Sequence, residues 1–68
     1  MADNVYKLTE IVGTSKVGTD DAIKHAVARA SATLRNVRWF EVVATRGFVE
    51  NDGSIQYHVT MKVGFTLD

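Results

Sequence analysis

A chain of 68 residues without a single cysteine has to find part of its stability outside its own core. Below roughly 70–80 residues one hydrophobic core rarely contributes more than a few kcal/mol, so small domains add a disulfide, a metal or a partner subunit. Composition excludes the disulfide. A structural zinc site has no thiolate to draw on, and the only histidines, His25 and His58, lie far apart in the chain. The remaining route is association, and the chain is expected to be one domain, 1–68, that forms a homo-oligomer.

Charge narrows the partners. Eight basic residues balance eight acidic ones, and the two signs are interspersed. A nucleic-acid-binding domain normally carries a basic stripe, and an anionic membrane surface attracts the same feature, so neither partner is expected. The first residues, Met1 to Asn4, lack the basic and apolar regions of a secretory signal. No apolar run approaches the ~18 residues of a membrane span. These features predict a soluble, cytoplasmic protein.

Four elements follow one another without proline or an obvious linker. Val5–Val12 is rich in β-branched and aromatic residues and ends at Gly13, which reads as a strand. Gly13–Gly18 is a polar connection. Thr19 suits a helix N-cap, with Asp20 and Asp21 in the first turn, where negative charge favours the helix dipole. Ile23, Ala26, Val27, Ala30, Leu34 and Val37 recur at spacings of three and four and predict an apolar helix face. From Arg38 the period changes to two. Trp39–Val49 and Ser54–Leu67 read as strands joined at Asp52-Gly53, a strong hairpin signal.

Register decides what each face carries. A two-residue Asp52-Gly53 turn would pair Asn51 with Ser54, Phe40 with Phe65 and Val42 with Val63. Ala44, Arg46 and Phe48 would then face the helix, while Trp39, Glu41, Val43 and Thr45 would fall on the far face. A right-handed crossover makes the first two strands parallel. The third fits between them, antiparallel to both. The expected fold is α+β: a β-α-β-β unit whose three-stranded sheet, in order 1-3-2, has one face covered by the helix.

The uncovered face holds the only tryptophan, Trp39. An exposed indole on a polar sheet should be covered. A subunit contact is the plainer explanation, since interfaces are enriched in aromatics. A stacking platform for a flat ligand is the sharper one, and a ligand held within an interface satisfies both. His58 shares that face, about eight residue steps from Trp39 in this register, or ~26 Å at the usual strand rise. One small planar ligand would touch both only if different subunits supplied them. Glu41 is placed to meet Lys62, as an exposed pair worth about 0.2–1 kcal/mol. No motif for nucleophilic catalysis, phosphate cradling or nucleotide binding is present, so no enzyme activity is expected.

Ile11-Val12-Gly13-Thr14-Ser15, Trp39-Phe40-Glu41-Val42, Arg46-Gly47 and Val59-Thr60-Met61-Lys62-Val63-Gly64-Phe65 together resemble the bacterial dodecins. The resemblance spans nearly the whole chain, in order and with matching spacing. It implies a sheet wrapped around one helix and twelve subunits closed into a hollow, roughly spherical shell. It also implies paired flavins (FMN, or riboflavin or FAD) stacked between symmetry-related tryptophans at a two-fold interface, with Trp39 as that tryptophan. The implied role is storage and buffering of flavin, with quenching of its photochemistry.

Two positions depart from the family pattern. His58 stands where members usually carry a glutamine that meets the polar edge of the isoalloxazine. Thr66 stands where many carry an arginine, a candidate phosphate contact, and Arg46 is the alternative source of that charge. The candidate cofactor-binding residues are therefore Trp39, His58, Arg46 and Thr66. The competing functional readings are a structural shell with weak or no flavin affinity, and a small enzyme using His58 as acid or base.

Overall fold

The computed structural model describes residues 3–67, in the order β1 (Tyr6–Ser15), α1 (Thr19–Thr33), β2 (Val37–Val49) and β3 (Ile55–Thr66). The sheet has the order β1-β3-β2, and β3 is antiparallel to both neighbours. The expected α+β architecture, one helix against a three-stranded sheet, is the one observed.

The core is small because the helix is rich in alanine. Ala22, Ala26 and Ala30 form its buried line, and Ala22 and Ala26 meet Val59, Met61 and Val63 of the central strand. Ile11, Ile23, Val27 and Val37 close the sides. A Cβ on Gly13 would collide with the Ala22 carbonyl and lie 2.8 Å from the Ala26 Cβ, so the bare backbone there lets α1 settle onto β1. The helix leans chiefly on β1, less on β3 and least on β2. Phe40 and Val42 consequently stay exposed on the side the helix only partly covers.

Both helix ends differ from the expectation. Thr19 is already helical and Gly18 is the N-cap residue, with no side-chain cap bond. Ser15 instead ties the preceding turn to the helix, a link beyond the reach of local periodicity. Its buried hydroxyl accepts the Val17 N–H at 2.9 Å and donates to Asp21 Oδ2 at 2.7 Å, tying the end of β1 to the first helical turn. At the other end Leu34 is extended and Asn36 takes a left-handed φ of 62°, a region that asparagine tolerates better than most residues. The chain reverses there, and Val37 joins β2 instead of the helix face.

The hairpin is one residue longer than a two-residue turn. Gly53 N–H donates to the Glu50 carbonyl at 2.9 Å, Glu50 N–H donates to the Ser54 carbonyl at 2.8 Å, and Gly53 has φ 88°. That is a type I turn followed by a left-handed glycine, the usual three-residue hairpin loop. Val49 therefore pairs with Ile55 and Arg46 with His58, which reverses the expected faces near the turn. Thr45 turns to the helix side opposite Val59, and Ala44, Arg46 and Phe48 turn to the far face.

A bulge between Val42 and Ala44 inserts Val43 and shifts the register again. Beyond it Val42 pairs with Met61, Phe40 with Val63, Glu41 with Lys62 and Trp39 with Gly64. Trp39 and Glu41 thus lie on the far face as expected, but against different partners.

Candidate ligand-binding face

The far face is the side of the sheet opposite the helix, left uncovered among the described residues. Its rows come from three strands. Tyr6, Leu8, Glu10, Val12 and Thr14 of β1 align with Thr66, Gly64, Lys62, Thr60 and His58 of β3. Those in turn align with Trp39, Glu41, Ala44 and Arg46 of β2. Chemistry gathers at the two ends of this face.

At one end stands the indole of Trp39. A Cβ built on Gly64 would overlap its Cε2 and lie 2.8 Å from Cδ2, so the indole lies across the glycine backbone. Tyr6 meets it edge-on, with ring centroids 5.8 Å apart and planes at 70°. Edge-to-face contact is a favoured aromatic geometry, and it holds the indole from the β1 side. Trp39 remains 37% exposed, so a broad aromatic surface is anchored below and open above. Thr66 pairs with Tyr6 at this same end.

At the other end His58 is half-buried and directly opposite Arg46. Its Nε2 is 3.1 Å from Gln56 Oε1, and Phe48 meets the imidazole edge-on with centroids 4.3 Å apart. Between the ends, Glu10, Lys62 and Glu41 lie side by side across the three strands. Opposite charges in cross-strand neighbours are favourable, and the expected neighbourhood of Glu41 and Lys62 is observed.

The structure thus groups Trp39 with Thr66 and Arg46 with His58. The placement of Arg46 toward the helix is overturned: the three-residue loop brings it to the far face, and the Val43 bulge lets Trp39 share that face. His58 is opposite Arg46 and not Gly47, and lies six residues along β3 from the position opposite Trp39. At ~3.3 Å per residue that separation is about 20 Å, still too far for one isoalloxazine to bridge within one subunit. Tyr6, Phe48 and Gly64 were not expected at the site from sequence. Tyr6 becomes visible only through the β1–β3 register, which no local pattern encodes.

Other clusters are structural. Asp21 accepts from Ser15 and lies 3.5 Å from His25 Nε2. The carboxylate sits between hydroxyl and imidazole, so His25 meets Asp21 and not the buried Ser15 oxygen. Among the described residues no three His, Asp or Glu side chains converge to hold a metal ion.

Comparison with known proteins accounts for the whole arrangement. The profile of the dodecin family matches residues 5–68. A dodecin from Thermus thermophilus is 48% identical over 94% of this chain and 93% of its own length. The calcium dodecin of Mycobacterium tuberculosis is 31% identical over 94% of this chain and 90% of its own. The solved dodecin from Streptomyces davaonensis superposes with a TM-score of 0.92 at 49% identity, covering 98% of both chains. The β-α-β-β unit, the bulged hairpin that presents Trp39 on its open face, and these matches along nearly the full length place the chain in the dodecin family.

Proposed function

We propose that this protein binds flavins (FMN, riboflavin or FAD) at interfaces between copies of itself, as a store and buffer that quenches their photochemistry without turnover. The observation that carries this reading is the indole of Trp39, laid across Gly64, braced by Tyr6 and open on its outer side. A flat heteroaromatic ligand gains a large contact area on such a surface. Family membership supports the assignment to flavin and to a twelve-subunit shell.

The polar cluster complements the platform. Trp39 and His58 of one chain are too distant for a single ring system, so different subunits supply them to one site. Arg46 provides a cation beside His58 for a flavin phosphate, and the Thr66 hydroxyl lies at the platform end. Flavin is favoured over a metal ligand because the far face offers stacking surface, while among the described residues no three His, Asp or Glu side chains converge.

The test is a titration of the apoprotein with FMN, riboflavin and FAD, following flavin fluorescence and co-sedimentation. Saturable quenching, with flavin sedimenting alongside the protein, is the expected result. A correctly assembled protein that leaves all three flavins fluorescent and unsedimented would instead indicate a structural shell.

A further inference from the structure

We propose that Asp52-Gly53 is a covalent modification site, an aspartate that isomerises to isoaspartate in the unfolded chain and that the folded hairpin protects. The site is independent of any ligand. The chain has one Asp-Gly pair and no Asn-Gly pair. Glycine has no Cβ to hinder the approach of its nitrogen to the preceding carboxyl. The pair is also exposed at the tip of the hairpin, so burial does not protect it.

The reaction is an internal condensation followed by hydrolysis. The Gly53 nitrogen gives up its proton and bonds to Asp52 Cγ, and one carboxyl oxygen leaves as water. Water then opens the resulting succinimide ring. Opening at the main-chain carbonyl leaves the peptide running through Cγ, with the carboxylate on Cα. Mass is conserved and no oxidant is involved.

The folded loop opposes each requirement. The Gly53 N–H donates to the Glu50 carbonyl at 2.9 Å, so the nucleophile is turned inward across the turn. Asp52 Oδ1 accepts the Ser54 backbone N–H at 2.9 Å and the Ser54 hydroxyl at 2.7 Å, which draws the carboxyl past Gly53. The same two donors hold it below its ordinary pKa. They thereby favour the carboxylate, from which water cannot leave directly. Ser54 is therefore a positioning residue. Isomerisation adds a methylene to the main chain within a three-residue loop. The pairing of Val49 with Ile55, which that loop sets, cannot then close unchanged.

The test ages the assembled protein and the same chain in guanidinium chloride, at neutral pH and physiological temperature. Isoaspartate is counted by enzymatic methylation and located by peptide mapping. The folded protein is expected to isomerise at least about tenfold more slowly, because reaction waits for the loop to open. Ser54→Ala keeps the backbone bond and loses the hydroxyl, so its assembled form should isomerise several-fold faster than wild type. Asp52→Asn reacts through the same attack with ammonia leaving, and its slow deamidation in the folded state would show that geometry itself protects. On removal of denaturant, isomerised chains should stay out of the assembled fraction. Equal rates in folded and unfolded wild type, a Ser54→Ala rate equal to wild type, rapid deamidation of folded Asp52→Asn, or ready assembly of isomerised chains would overturn the proposal.

Discussion

The platform at Trp39 depends on a neighbour without a side chain. Any Cβ at Gly64 would occupy the space of the indole ring, so Gly64→Ala has to push the indole outward and away from Tyr6. Overpacking of this kind costs about 1–3 kcal/mol. The expected outcome is a folded protein with altered Trp39 emission, readable because it is the sole tryptophan, and with weakened flavin quenching. Unchanged emission would show that the indole does not rest on this glycine. Asp52 sets the hairpin in a comparable way. Ser54 donates its backbone N–H at 2.9 Å and its hydroxyl at 2.7 Å to Asp52 Oδ1, and these bonds hold the carboxyl below its ordinary pKa. A depressed folded-state value means that the stabilisation is complete above the ordinary aspartate value of about 3.9 and is lost as pH falls through the lower folded value. Asp52→Asn keeps an acceptor but cannot titrate. Its melting midpoint should therefore fall less steeply than that of the wild type between about pH 4 and pH 2, as followed by circular dichroism.

The elements show how far local pattern reaches. Strand period, helix period and the turn at Asp52-Gly53 were legible in the sequence, and with them the β-α-β-β order and the exposure of Trp39 on the uncovered face. Loop length was not, because Asn51-Asp52-Gly53 is chemically suited to a two-residue or a three-residue connection, and the choice depends on pairing across the sheet. The Val43 bulge was equally hidden, since Val42-Val43 reads as an unbroken apolar pair. The loop length moves Arg46 from the helix side to a place beside His58, and the bulge returns Trp39 to that same face, so the site could not be assembled from spacing alone. The junction of β1 and α1 carries its own prediction. Ser15→Ala removes a part-buried hydroxyl that satisfies Val17 and Asp21, at a cost of about 1–3 kcal/mol. Thermal melting should show a lower midpoint with the assembly otherwise native, and an unchanged midpoint would mean that the strand–helix tie is dispensable.

The whole chain has the shape of a component. Its Cα radius of gyration is 14.1 Å, against about 11 Å for a compact domain of this length. It extends over 55 × 20 × 14 Å, with Trp39, Phe40, Val42, Phe48, Val49 and Ile55 all substantially exposed. Among the described residues six buried apolar side chains form the core, too few to offset the entropy of ordering the chain. Sedimentation should accordingly find a single large species at micromolar concentration, and dilution or denaturant should dissociate and unfold it together. A folded monomer would contradict this. Those exposed strands meet the flavin proposal at Trp39, which faces away from the core and can be removed without opening a cavity inside the subunit. The most direct measurement is therefore the fluorescence of FMN titrated into Trp39→Ala, beside wild type, after sedimentation has confirmed that both proteins assemble. The wild type is expected to quench the flavin at saturation, and the variant to leave it fluorescent; unchanged quenching by a fully assembled Trp39→Ala protein would contradict the stacking site.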